Sequence, residues 1–427
     1  MNDISHIVRK ALLSGVAFIA AAASAFAQTT PEEVYATPEK AGGVYYAYPV
    51  TVSHNTPAPK GYRPFYVSHY GRHGSRYLIS DDDYRRVIDR FADAHKANAL
   101  TPLGEDVYRR LQAVWPEAEG RGGDLTPLGV RQHKGIASRM YKAYSEVFAG
   151  SPKITARSTT VVRCALSMAA FCESLKEHDP SLDIPRESSN RYKYYLDYHA
   201  PEWGDYVGDN GPWREESRKF RQEHTRPDRL VGTLFSDKDY VRRNVNPDNL
   251  MWDLYWVAVD MQNMETPVSF MDLFEPQELF DLWQVASYNF YVCNSNHTLS
   301  EGKNLANAHN LVRNIIDSAD EMIASGENGA TLRFGHDGDL IPLAGALRME
   351  ECYNATDRPE EAYRHFADFK ISPMAGNVQL VFFRDRHGDV LVKFMLNERE
   401  TAIPVATDQF PFYRWDDVKK FYDNILK

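Results

Sequence analysis

Arg72-His73-Gly74-Ser75-Arg76 sets one imidazole between two guanidinium groups, inside a polar stretch that runs from Ser68 to Tyr77. Arginines present planar donor forks that match phosphate oxygens and offset the charge of a dianion. A histidine held among them can attack phosphorus, so these residue types point to phosphoryl transfer onto a nitrogen nucleophile. A run of Arg, His and Gly can also be a solvated turn. The preceding Pro64-Phe65-Tyr66-Val67 is aromatic and β-branched and reads as a buried strand, and ligand sites of α/β proteins lie at the carboxyl ends of such strands. The expectation is a strand over 64–67 that ends where the polar segment begins.

The elements that must position this segment follow along the chain. A helix is expected over 82–97. Leu100-Thr101-Pro102-Leu103-Gly104 recurs as Leu125-Thr126-Pro127-Leu128-Gly129, each copy ahead of amphipathic sequence. Thr at the N-cap and Pro at the first helical position explain both, as repeated capping chemistry and not a structural repeat. Residues 153–156 read as a second strand, leading through Arg157-Ser158-Thr159 into a helix that carries Arg163, with Leu166, Ala169, Ala170 and Phe171 as its apolar positions. Residues 331–334 form a further strand, ending at Gly335-His336-Asp337-Gly338-Asp339 before an apolar helix over 340–347. Residues 378–383 and 390–396 pattern as a hairpin.

Between about Pro180 and Gly326 the chain is aromatic and charged, without clear strands, with helices expected over 190–203, 213–224, 276–289 and 304–323. The strand-then-helix rhythm on either side predicts an α/β protein. Residues 28–180 and 326–427 would form one discontinuous core, and 181–325 a mainly α-helical cap.

The chain has 427 residues, 43% of them hydrophobic, enough for a substantial core, and a formal net charge of -10. A field of that sign repels polyanions and argues against nucleic-acid binding, so an anionic substrate needs a local positive pocket. Residues 1–27 read as a signal peptide: Arg9 and Lys10 precede an apolar stretch from Ala11 to Ala23, and Ala25-Phe26-Ala27 suits a signal peptidase. Cleavage near Ala27 would place the mature chain in the periplasm or outside the cell, without a membrane span. Four cysteines, Cys164, Cys172, Cys293 and Cys352, are too few for a disulfide scaffold and fit no zinc spacing. Cys164 and Cys172 lie eight apart on one expected helix, roughly 12 Å along its axis, too far to pair with each other.

Three segments in order, Arg72-His73-Gly74-Ser75-Arg76, Arg157 through Arg163, and His336-Asp337, resemble the histidine phosphatase superfamily in its acid phosphatase and phytase branch. Tyr77, the Leu-Thr-Pro-Leu-Gly segments, Leu332 to His336, Ala375-Gly376-Asn377 and Leu396-Asn397-Glu398 resemble the multiple inositol polyphosphate phosphatases within it. That subgroup carries His-Ala-Glu, whereas here Asp337 follows His336 directly and Gly338 takes the next-but-one place, as in the acid phosphatases and phytases. The resemblance implies a phosphoglycerate-mutase-like core, a mixed central sheet flanked by helices, with an inserted helical cap. It also implies a nucleophile at His73, a clamp of Arg72, Arg76, Arg163 and His336 on the phosphate oxygens, and no metal or cofactor.

Asp337, beside the phosphate, is the natural proton donor to the leaving oxygen, because like charge raises a carboxyl pKa. Asp339 is the alternative donor, or a helix cap. His69 and His133 read as supporting histidines, His133 on a helix surface or behind the site. Asn397-Glu398 would shape the pocket or form a turn. Arg191, Lys193, Arg214, Arg218, Lys219, Arg221, Arg226 and Arg229 would line the cleft, or pair at helical spacing with the acids among them. The expected activity is hydrolysis of phosphate monoesters, inositol polyphosphates foremost, with broad action on sugar phosphates or other small monoesters as the alternative. A phosphate-ester binding module without chemistry is the remote one.

Overall fold

The computed structural model describes residues 28–49 and 54–426, so the expected signal segment lies outside the described residues. At its centre is a mixed sheet in the order β3-β2-β4-β1-β5-β6-β7, with β8 on β6. Its strands are β1 (Arg63–Arg72), β2 (Lys153–Ser158), β3 (Arg186–Ser188), β4 (Gly329–Gly335), β5 (Asn377–Arg384), β6 (Val390–Leu396), β7 (Arg399–Glu400) and β8 (Phe412–Arg414). β3, β2, β4 and β1 run parallel; β5 pairs antiparallel to β1 and continues as the expected hairpin into β6.

Register carries the consequence for function. Arg72 stands opposite Gly335, and Ser158 opposite Phe334. Three parallel strands therefore end together, and the residues that follow them, His73, Thr159 and His336, emerge at one edge.

β1 is longer than expected. It continues through Ser68, His69, Tyr70 and Gly71, because β4 on one side and β5 on the other use their backbone groups throughout. Its side chains alternate between two cores. Tyr66 and Tyr70 point into the larger core, with Ile315, Leu340 and Trp415 of the helices His309–Ser325, Asp337–Ala346 and Trp415–Ile425. Val67 points the other way, with Ile136 and Phe171 of the packed helices Pro127–Ala143 and Val162–His178. Fully burying each such aliphatic or aromatic side chain contributes about 1.5–3 kcal/mol. Arg333 is also fully buried and ties β4 to the helix His309–Ser325 by donating to Asn314 Oδ1 at 2.8 Å and Ser318 Oγ at 3.1 Å.

Two expectations need correction. The segment 181–325 does hold a strand, β3, which extends the parallel side of the sheet through Ala156 to Ser158. Its three exposed residues have no hydrophobic alternation to announce them. Leu166 is not on the buried face of its helix but 49% exposed, as is Val162 at 64%; the helix turns Cys164, Ser167, Met168 and Phe171 inward instead. All four cysteines are free thiols.

Candidate active site

The loop after β1 is held by backbone contacts that its small residues permit. A Cβ on Gly74 would meet the Gly129 carbonyl oxygen at 2.6 Å, so only glycine fits against the start of the helix Pro127–Ala143. Thr126 caps that helix by accepting from Gly129 N at 3.2 Å, and it donates from its own backbone N to Ser75 O at 2.9 Å. The second Leu-Thr-Pro-Leu-Gly segment is thus the platform on which the loop rests. Gly74 N donates to Ser167 Oγ at 3.1 Å and Ser75 N to Gln132 Oε1 at 2.8 Å.

His73 is fixed through its backbone, donating to Gly335 O at 3.0 Å and accepting from Ala375 N at 2.9 Å. Its ring Nδ1 lies 2.9 Å from Gly74 O. A carbonyl only accepts, so Nδ1 carries the proton and the lone pair sits on Nε2. Burial first, and then the charges of Arg72, Arg76 and Arg163, push the imidazole pKa well below its ordinary value, so the ring is neutral and nucleophilic.

The charges of three arginines act on that ring. Arg72, with no exposed surface, donates through Nη1 to Val44 O and to Ser372 O at 2.8 Å, and its Nη2 lies 2.7 Å from Asp337 Oδ2. Arg76 donates through Nη1 to Tyr45 OH at 3.0 Å and Tyr77 O at 2.8 Å, and stacks 4.6 Å over the Tyr45 ring. Arg163 enters from the second position of the helix Val162–His178. The buried Nε groups of Arg72, Arg76 and Arg163 have no hydrogen-bond partner among the described residues.

His336 faces His73 with ring centroids 5.8 Å apart. Its Nε2 lies 3.2 Å from Thr159 Oγ1, its backbone N donates to Tyr70 OH at 3.1 Å, and Cys164 Sγ packs 3.7 Å from the ring. Asp337 opens the following helix. Burial raises its pKa, but Arg72, then Arg76 and His336, outweigh that and hold the carboxyl below its ordinary value. This differs from the raised pKa expected beside a phosphate, because the acid here is ion-paired to the clamp. Asp339 is the raised carboxyl: burial, then the charge of Asp197, push it well above the usual range, with Tyr70 as its hydrogen-bond partner.

All six expected residues therefore meet at one edge. Three that touch them were not singled out: Tyr45, Thr159 and Tyr70. Tyr45 lies in the polar lead-in, where nothing in the local pattern marks it. Thr159 sits in the quoted Arg157–Arg163 segment, and only its place after β2 distinguishes it from Thr160. His133 is not on a helix surface. It is fully buried near His69, edge-on to Phe334, and burial pushes both imidazoles down to about 3. Asn397 and Glu398 form a turn with positive φ: Asn397 bonds the Asn377 N–H, and Glu398 accepts two bonds from Arg139.

Most cap cations are taken. Arg218 pairs with Glu215 at 2.7 Å, Lys193 with Asp197 at 3.4 Å, and Arg229 with Glu278, while Arg214 donates to Gly208 O at 3.1 Å. A cavity of about 480 Å³ opens beside Arg76 and Tyr45, walled by Leu78, Ile79, Trp252, Trp256 and Phe290. Among the described residues no cluster of three or more His, Cys, Asp or Glu side chains is placed to hold a metal ion.

The sequence matches the histidine phosphatase superfamily (branch 2) over residues 71–397. It is 21% identical over 377 residues to multiple inositol polyphosphate phosphatase 1 of Gallus gallus, covering 83% of this chain and 80% of that one. Its fold is similar to that of the Bifidobacterium longum multiple inositol polyphosphate phosphatase in complex with inositol hexasulfate, at a TM-score of 0.76 and 16% identity, covering 90% of this chain and 97% of the other. It is also similar to the phytase from D. castellii, at a TM-score of 0.67 and 14% identity, covering 91% and 85%.

Proposed function

The chain belongs to the histidine phosphatase superfamily (branch 2), and from that premise we propose that His73 carries a phosphohistidine intermediate in the hydrolysis of inositol polyphosphates such as phytate. The observation that carries the reading is a neutral His73 with a free Nε2 under the charges of Arg72, Arg76 and Arg163, whose buried Nε–H donors have no protein partner among the described residues. An unsatisfied buried donor costs about 1–3 kcal/mol, and three of them on arginines whose charges act on one nucleophile suit phosphate oxygens.

In the first step Nε2 attacks phosphorus in line, the P–O bond to the alcohol breaks, and Asp337 gives its proton to the departing oxygen. Arg72, Arg76, Arg163 and His336 hold the non-bridging oxygens and the charge of a loose transition state. In the second, Asp337 takes a proton from water as the water oxygen attacks phosphorus and the P–N bond breaks, which restores His73. The dianion draws Arg72 away from Asp337 and puts like charge in its place. Both changes raise the Asp337 pKa and favour turnover in mild acid.

The named activities of the similar proteins support inositol polyphosphates as the substrate class, and residues 181–325 would act as the cap that selects them. The ion-paired state of Lys193, Arg218, Lys219 and Arg229 favours a second reading, broad action on small monoesters, because a highly phosphorylated ring needs cations beyond the clamp. The expected signal peptide would export the enzyme; no helix among the described residues is long and apolar enough to cross a membrane.

Phosphate release from phytate, a glucose monophosphate and an aryl phosphate, measured over roughly pH 4 to 9, tests both readings. Phytate should show the highest kcat/KM, with kcat falling on the alkaline side, and His73→Ala should remove turnover of all three. Equal kcat/KM for the three esters selects the broad phosphatase; full activity in His73→Ala ends the nucleophile assignment.

A further inference from the structure

A run of aromatic contacts leads out of the clamp and ends on a second cation. Arg76 lies over the Tyr45 ring. Tyr45 meets Trp256 at 5.7 Å between ring centroids, and Trp256 meets Trp252 at 6.2 Å. Arg221 then lies 3.9 Å over the Trp252 ring. All five residues line the same cavity beside the clamp. Trp252 is 4% exposed and donates from Nε1 to Thr225 Oγ1 at 3.0 Å, so the ring beneath Arg221 is fixed.

Arg221 differs from Arg86, the other cation of this cavity outside the clamp. Arg86, in the same wall, is held by Asp83 at 2.9 Å and Asp253 at 3.7 Å, and Arg90 takes Asp253 at 3.1 Å. Among the described residues no ion pair reaches the Arg221 guanidinium; Asp248 and Asp253 act on it only through space. A guanidinium stacked on an indole keeps its in-plane N–H donors free for an anion.

The geometry points to Arg221 as the residue that binds a second anionic group of the substrate, with the half-buried Trp256, between the Arg76–Tyr45 and Arg221–Trp252 stacks, as the aromatic surface for the ring that joins it to the phosphate on Arg76. The ligand class is a ring-shaped phosphate ester with a further phosphate substituent. Aromatic faces suit the C–H face of such a ring, and one free cation suits one distal anion. A monoester with an uncharged leaving group makes the aromatic contacts alone. This inference rests on the His73 clamp as the reaction centre, and it does not require phytate as the substrate.

The test compares a glucose bisphosphate with the matching glucose monophosphate in the wild type, Arg221→Ala and Arg221→Lys. Arg221→Ala should raise KM for the bisphosphate roughly tenfold relative to the monophosphate, the size of one charge-assisted contact, with kcat for both within about twofold. Arg221→Lys should recover part of that selectivity. An equal rise in KM for both esters marks a structural role and overturns the inference, as does no change for either. Arg221-dependent selectivity in an enzyme that does not hydrolyse phytate supports this inference while ending the phytate reading; turnover retained in His73→Ala ends the clamp on which both stand.

Discussion

The arginines at the carboxyl edge of the sheet and Arg218 and Arg229 on the helices of 181–325 are placed by different partners, and the difference separates the proposed phosphate site from a surface. In the clamp, Arg72 and Arg76 are aimed mostly by neutral acceptors: the carbonyls of Val44, Ser372 and Tyr77, and the Tyr45 hydroxyl. On the helices, Arg218 and Arg229 are aimed by Glu215 and Glu278. A carbonyl orients a guanidinium and leaves its charge in place, whereas a carboxylate orients it and cancels the field an anion would feel. Burying uncancelled cations costs several kcal/mol each, and the paired backbone of β1, β4 and β5 provides the rigid frame that tolerates this. Only Arg72 touches an acid, and that acid, Asp337, is the proposed proton donor.

The largest effect that bears on this contrast is expected at Asp337. Asp337→Asn keeps the shape and removes the proton, so kcat on an alkyl phosphate should fall roughly 10²- to 10⁴-fold, the usual range for a general acid. An aryl phosphate, whose leaving group needs little protonation, should lose far less, and the alkaline fall in kcat should disappear. Uniform losses across leaving groups would assign Asp337 to positioning Arg72.

Arg163→Ala and Arg218→Ala set the two environments against each other. Removing one clamp donor should lower kcat/KM roughly 10²- to 10³-fold, as for other preorganised transition-state donors. Removing the cation paired with Glu215 should change it by less than about twofold, because exposed ion pairs contribute about 0–1 kcal/mol and this one faces no phosphate. Similar losses in the two variants would remove the distinction between them.

The smallest and most specific effect concerns His133, directly behind the clamp. Its folded-state pKa is about 3, so between pH 6.5 and 3 the unfolded chain binds a proton that the folded chain does not, and stability falls as pH falls through that window. His133→Leu removes this term. Urea unfolding should show the variant gaining on the wild type by about 1.4 kcal/mol per pH unit below pH 6.5. A constant difference across that range would place His133 where it can be protonated in the fold. Asp260 and Asp368, whose burial pushes them up to about 7 and about 6, have the opposite slope in both proteins and leave the difference unchanged.

Much of the fold was legible in short stretches. The Thr-Pro caps at 101–102 and 126–127, the hairpin and the strands leading to Arg72 and His336 follow from periodicity and capping, which act over a few residues. β3 was not legible, because three exposed residues form a strand only when β2 offers them an edge. Leu166 departs for the same reason: its helix buries the face that meets the sheet and the helix Pro127–Ala143, and Leu166 lies off that face.

By itself the sequence determined which chemistry the chain can hold: a histidine among arginines, an acid after a late histidine, and the caps and strand ends that present them. The tertiary structure decided which atoms are free to act. It put the His73 proton on Nδ1 against Gly74 O, ion-paired Asp337 to Arg72, brought Tyr45 and Thr159 to the clamp, buried His133, and left Arg221 unpaired while Arg218 was neutralised. Capping and alternation depend on neighbours in sequence and can be read there; the charge, tautomer and exposure of a side chain depend on neighbours in space, which only the packed fold supplies.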